Sequence, residues 1–188
     1  MIRDLILKNR SYRRFDSSAA IDENTLREWV DLARHSASGA NVQGLKYILS
    51  WTPEKNAAIF PALRWAGYLK GWGGPGEEER PTGYIVVLGD TAISKNFGVD
   101  HGIACQSILL GAVEQGFGGC IFGSIRREEL RAALAIPEQF EILLVVALGK
   151  PVEQVQLDEV GADGSIKYWR DEQAVHHVPK RRLADLIL

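Results

Sequence analysis

Three short polar stretches hold the residue types that bind anions and heterocycles. The first is Arg10-Ser11-Tyr12-Arg13-Arg14-Phe15. In an extended backbone Ser11, Arg13 and Phe15 point one way, and Arg10, Tyr12 and Arg14 the other. Guanidinium forks beside a hydroxyl suit a phosphate. The same residues could equally be a solvated basic patch beyond a helix C-terminus, where cations complement the dipole. The second stretch is Ser38-Gly39-Ala40-Asn41-Val42-Gln43. The Asn41 and Gln43 amides offer both donors and acceptors and could read a heterocycle edge, or simply form an Asx turn before a strand. The third is Pro179-Lys180-Arg181-Arg182-Leu183. If it is extended, Lys180 and Arg182 share a side and could clamp a phosphate; otherwise it is a basic tail.

Self-contained catalytic machinery is missing from the sequence. There is no Gly-x-Ser-x-Gly, no Walker lysine loop, and no Gly-x-Gly-x-x-Gly between a strand and a helix. Gly116-Phe117-Gly118-Gly119 lies between a helix and a strand, which is the wrong context. His101, His176 and His177 have no partners at metal-ligand spacing, so no metal site is expected. Cys105 and Cys120 have no basic neighbour to lower their pKa. Chemistry in this chain should come from a cofactor.

The elements that must position these residues follow from hydrophobic spacing. Ile2, Leu5 and Ile6 predict a helix over Ile2 to Lys8. Leu26, Trp29, Val30 and Ala33 predict one that opens at Asp22 and ends near His35. Leu45 to Trp51 alternates as a strand. Pro53 opens a short helix to about Leu63. Trp65 to Pro81 reads as an aromatic, Gly-rich loop. Tyr84 to Leu88 is a buried strand. Val99 to Gln115 is a helix apolar on nearly every side, expected to be central and to meet a partner subunit. A short strand over Cys120 to Phe122, a helix over Arg127 to Leu134 and a core strand over Phe140 to Leu148 follow. From Val155 the chain shows little periodicity until Val178 to Leu183. This order is α+β in one domain, residues 1–188, without regular βαβ alternation.

Composition limits the partners. Of the 188 residues 46% are hydrophobic and the net charge is −2, so a core can form and no basic field invites nucleic acid. No apolar run is long enough to span a membrane. Met1 to Asp4 carries an acid rather than a signal sequence, and the two cysteines suit a reducing compartment, so the expectation is a cytoplasmic protein.

Taken in order, these stretches resemble the nitroreductase family of flavoproteins. The likeness runs through Asn9 to Phe15, Asn41-Val42-Gln43, Gly118-Gly119-Cys120-Ile121-Phe122-Gly123, Leu134-Ala135-Ile136-Pro137, Leu148-Gly149-Lys150-Pro151 and Pro179 to Arg182, nearly the whole chain. It implies a central mixed or antiparallel sheet flanked by helices, and an intertwined homodimer with FMN at its interface. Arg10 and Ser11, with Lys180 and Arg182, would hold the phosphate. Arg13 would lie near the pyrimidine edge of the flavin, Asn41 near N5 and O4, and Gln43 on the pyrimidine or ribityl side. Cys120, Ile121, Phe122 and Gly123 would pass against the ring from the other subunit. Three departures stand out: Asn9 replaces an arginine, Gly44-Leu45-Lys46 replaces a Pro-Trp, and Cys120 sits where a proline or other small residue is common. The chain is also short for the family, which leaves Trp65 to Pro81 as cover over the flavin.

The implied activity passes a hydride from NADH or NADPH, by way of FMN, to a small oxidised acceptor such as a nitroaromatic or quinone. No side chain is needed as acid or base. Trp65, Tyr68 and Trp72 are candidates to line the substrate pocket, or else pack in the core or a dimer. The rivals are other FMN chemistry, such as dehalogenation or dehydrogenation, a flavin carrier or sensor without turnover, and a structural dimer that has lost FMN.

Overall fold

The computed structural model describes residues 1–188. Helix α1 spans Ile2–Lys8 and α2 spans Glu23–Arg34, with Asp22 accepting from the Thr25 N–H at 2.8 Å as its cap. Strand β1 is Phe15–Asp16, β2 is Leu45–Ser50, and α3 is Pro53–Ile59, extended by a 3-10 turn to Ala62. Then come β3 (Gly83–Asp90), α4 (Asp100–Glu114), β4 (Gly118–Phe122), α5 (Arg127–Leu134) and β5 (Phe140–Pro151). Apart from the short β1, each matches an element expected from the sequence to within a few residues. Trp65 to Pro81 is a loop with one 3-10 turn, Glu77–Glu79.

The main sheet is antiparallel throughout. Strand β5 pairs with β3, β4 and β1, and β2 pairs with β3 at the edge. Alternation divides its side chains between two helical layers. Tyr84, Val86, Leu88, Val145 and Ala147 pack with Ile59, Leu63 and Leu130 on the α3/α5 side. Ile85, Val87, Val146 and Leu148 pack with Leu26, Trp29, Ile108 and Leu109 on the α2/α4 side. A register shift in the β3–β5 pairing sets Leu88 against Ile142 but Val87 against Leu144. The extra residue in β5 puts Ile142 on the same face as Val145 and Ala147. Helix α4 crosses α2 closely at Gly111, where a Cβ would collide with Leu32 and press on Trp29.

The region after β5 differs from the sequence reading. A second sheet is built there from β6 (Val155–Glu159), β7 (Trp169–Arg170) and β8 (His176–Lys180), with β6 parallel and β7 antiparallel to β8. Strand β8 ends at Lys180, and Leu183–Asp185 forms a 3-10 helix rather than continuing the strand.

Apolar side chains remain exposed on α1 (Ile2, Ile6, Leu7), at the start of α4 (Val99, Ile103) and at Leu183, Leu186 and Ile187. Helix α1 buries none of its residues. No helix is long and apolar enough to cross a membrane.

Candidate functional site

The Arg10 to Phe15 stretch is fixed from both ends. Where α1 ends, Arg10 Nη2 donates to the Ile6 carbonyl and the Tyr12 hydroxyl to the Lys8 carbonyl, both at 2.8 Å, which satisfies carbonyls the helix leaves free. Beyond that point Ser11 bridges Gly119 of β4 in parallel, and the Tyr12 N–H donates to the Gly119 carbonyl at 3.0 Å. Arg13 and Phe15 are buried, as the alternation predicts. Arg14 is taken up by a two-pronged ion pair with Glu79, at 2.7 and 2.6 Å, which ties the long loop to β1.

A cleft of about 250 Å³ opens between this stretch and the small sheet. Asn9, Arg10, Ser11, Arg13, Tyr168, His176, Val178 and Lys180 line it. Arginine and lysine supply its charges, and no carboxylate lines it. Arg10 Nε is buried without a partner, a donor left for a ligand. Two of the sequence clusters, the first and the third, therefore meet here. The small sheet brings them together: on β8 the alternate residues His176, Val178 and Lys180 face the cleft.

Beneath the cleft lies a buried polar network. Arg13 Nη1 donates to the Ser11 carbonyl at 3.1 Å and to His176 Nε2 at 3.3 Å, and its guanidinium lies 4.8 Å from the centre of the Tyr168 ring. The Arg13 N–H donates to Glu153 Oε2 at 2.8 Å, and Arg170 holds Glu153 Oε1 at 2.5 and 3.2 Å. Burial holds the His176 imidazole down to about 4, against an opposing pull from Glu153, so it is neutral at pH 7. Burial raises the Cys120 thiol, which removes it as a nucleophile. Tyr168, His176 and Glu153 were not singled out as site residues in the sequence. Period-two alternation carried back from Lys180 would have found His176; nothing local marks Tyr168 or Glu153.

Several expected site residues stand elsewhere. Arg182 lies past the end of β8, exposed and ion-paired with Asp185 at 3.2 Å and Glu159 at 3.6 Å, where it caps the 3-10 turn that begins at Leu183. Cys120, Ile121, Phe122 and Gly123 do not line the cleft. Strand β4 meets Ser11 of its own chain through Gly119. Phe122 turns into the core against Trp65, with ring centres 4.6 Å apart. Trp65 itself is core, packed also on Phe60 and Trp72, and its buried Nε1 has no partner. Tyr68 is about half exposed and rests on Tyr168 at 4.9 Å, while Trp72 carries the Arg170 guanidinium on its ring at 4.4 Å.

Asn41 and Gln43 sit in a loop at the start of α4. Ala40, Asn41 and Gln43 all have positive φ, at 48°, 55° and 55°. Such conformations strain non-glycine residues by about 1–3 kcal/mol each and persist only where neighbours enforce them. Asp100 does this, accepting from the Ser38 hydroxyl at 2.6 Å and the Gly39 N–H at 2.9 Å. Gln43 borders a separate hollow of about 160 Å³ with Tyr47, Asp100 and Ala104. Within one chain, then, the amide loop and the cationic cleft are apart. The Asn9 amide meets Gln106 of α4 on one side, and Ser36 meets Ser107 on the other.

Residues 82–150, which run from β3 through β5, match the model of the nitroreductase family. A protein of Bacteroides thetaiotaomicron VPI-5482, described as a putative NADH dehydrogenase/NAD(P)H nitroreductase, superposes with a TM-score of 0.69 at 21% identity. That match covers 95% of this chain and 97% of the other. The chain has the nitroreductase-family fold. An FMN-dependent nitroreductase of Clostridium difficile R20291 matches with a TM-score of 0.65 and 20% identity, over 82% of this chain and 89% of that one. The enone reductase CLA-ER of gut-bacterial fatty acid saturation also matches, with a TM-score of 0.69 and 18% identity, over 85% and 92% of the two chains. The nitroreductase-like fold thus spans this chain well beyond the segment that the family model matches.

Proposed function

We propose that this chain is an FMN-dependent oxidoreductase that accepts a hydride from NADH or NADPH and delivers it to a small oxidised acceptor such as a nitroaromatic or quinone. One observation carries the reading: a cleft ringed by Arg10, Ser11, Arg13 and Lys180, with no carboxylate on its wall and a buried unpaired donor at Arg10 Nε. This donor set fits a phosphate monoester dianion, which needs several charge-assisted donors and would be repelled by an acid.

In this reading Arg10, Ser11 and Lys180 hold the FMN phosphate, and Arg13 supplies positive charge at the cleft floor. Bound FMN supplies the hydride chemistry. The protein binds and orients the cofactor, and places positive charge where negative charge accumulates on reduction. Arg182 is left out of this set because two carboxylates already engage it.

The reading includes a homodimer, in the cytoplasm. The exposed apolar residues of α1 and α4 support an interface there. The separation of the Asn41–Gln43 loop from the cleft supports a site that one subunit's cleft and the other's loop complete together.

The test is an absorption spectrum of the purified protein with FMN, followed by anaerobic NADH and NADPH. Flavin bands that bleach and return with a nitroaromatic or quinone are the expected outcome. Bands that persist under both nicotinamides point to a carrier, and no FMN binding overturns the reading.

A further inference from the structure

We propose that His176 is a positioning residue of the cationic cleft, holding the Arg13 guanidinium toward the ligand as a neutral imidazole protonated on Nδ1. The cleft's role as the FMN phosphate site is taken from the reading above; the tautomer is independent of it.

A guanidinium has donors and no acceptor. The 3.3 Å contact between Arg13 Nη1 and His176 Nε2 therefore requires a lone pair on Nε2. The proton of the neutral ring must then be on Nδ1. That atom is buried without a hydrogen-bond partner and faces Glu153 Oε1 at 3.9 Å, so the carboxylate favours a proton there. Free imidazole side chains prefer the opposite tautomer, so the protein imposes this one. Burial and the Arg13 and Arg170 guanidiniums oppose a second proton, and Glu153 alone favours it.

The consequence falls on Arg13. Its Nη1 is committed to Ser11 and His176, and its backbone N–H to Glu153. Its Nε and Nη2 make no hydrogen bond within the chain, and the residue lines the cleft. Glu153 has no exposed side-chain surface and lies close by. Without the imidazole between them, the Arg13 side chain can fall back on that carboxylate, which attracts it strongly in a poorly solvated interior. His176 thus keeps the guanidinium out of an internal ion pair and available to an anion.

Two measurements test this. Nitrogen-15 NMR of the histidine rings, on protein without and with FMN, should show His176 protonated on Nδ1 and bare on Nε2 at neutral pH. An Nε2–H ring or an imidazolium would overturn the proposal, whatever the flavin does. FMN affinity is then read by flavin fluorescence in wild type, His176→Leu and His176→Gln. Losing an acceptor for a charged donor should weaken FMN binding in His176→Leu by about tenfold to a hundredfold. His176→Gln, whose carbonyl can take the Nε2 position, should recover most of that. Leu and Gln variants that bind FMN as tightly as wild type, with only a lowered melting temperature, would reduce His176 to a packing residue. Wild type that binds no FMN would overturn the functional reading instead, and the NMR result would still decide the tautomer.

Discussion

Asp100 at the start of α4 holds Ser38 and so fixes the backbone of the loop that carries Asn41 and Gln43. The Ser38 hydroxyl donates to its Oδ2 at 2.6 Å and in turn accepts from the Gln43 N–H at 3.0 Å. Asp100→Ala should release the strained conformations at Ala40, Asn41 and Gln43. The two lost hydrogen bonds to a carboxylate are partly solvated, so the destabilisation should be about 1 kcal/mol. The Ser38 and Gly39 hydrogen bonds hold the Asp100 carboxyl below the usual range. Its contribution is therefore complete above the ordinary aspartate pKa and lost as pH falls through the folded value. Urea titrations of the variant and hydrogen exchange across residues 39–44 check this; unchanged protection there would mean the loop is held by something else.

His177 gives a pH dependence of the opposite sign. It lies on the β8 face away from the cleft, its ring stacked on Trp169 at 4.2 Å, with Asp158 at 2.8 Å and Asp171 at 3.3 Å. The hydrogen bond to Asp158, then that to Asp171, raises its pKa above the usual histidine value. A raised folded pKa stabilises fully below the unfolded value and is lost as pH rises through the folded one. Small-sheet stability should therefore decline as the pH passes upward through that raised value. Hydrogen exchange of residues 155–180 on either side of the transition should follow the His177 NMR titration, and His177→Gln should flatten it. Loss of protection toward acid instead would contradict the assignment.

Trp65 should behave as core. Trp65→Ala should destabilise by about 3–5 kcal/mol, the range for truncating a buried aromatic. Trp65→Phe should cost less than about 2 kcal/mol, because the indole N–H has no partner to lose. Tyr68→Ala, at a half-exposed position, should stay within about 1 kcal/mol of wild type. Thermal melts order the three. A changed KM with an unchanged melt in Trp65→Phe would return Trp65 to the substrate pocket.

What the sequence reveals depends on where the information lies. Leu26, Trp29 and Ala33 mark α2, and Tyr84 to Leu88 mark β3, because helical and strand periodicities are local and these faces are buried. The second sheet lacks such a signal. Strands β6 and β8 pair in parallel, so their connection must cross over, and residues 160–175 intervene with a two-residue strand inside. Val155 and Leu157 alternate with Gln156 and Asp158, a pattern too short to stand out unpaired. The cationic cleft was legible in its residue types, since Arg10, Ser11, Arg13 and Lys180 all line it. Its supports were not, because Glu153 and Tyr168 reach Arg13 only through tertiary packing. Arg182 lies two residues beyond the end of β8, and its pairing with Glu159 and Asp185 is again a matter of tertiary packing that its local sequence does not show.

The contrast between Lys180 and Arg182 separates phosphate recognition from general basic charge. Lys180 lines the cleft, whereas Arg182 is engaged by Glu159 and Asp185. A phosphate contact acts on FMN and leaves riboflavin indifferent, since the two differ only in that group. Lys180→Ala should weaken FMN by about tenfold or more, the scale of one charge-assisted hydrogen bond, and leave riboflavin unchanged. Arg182→Ala should change neither by more than about twofold, because exposed ion pairs contribute little. Fluorescence titrations with both flavins at two salt concentrations measure this. Loss of FMN preference in Arg182→Ala with Lys180→Ala intact would move the phosphate out of the cleft and onto the turn that follows β8.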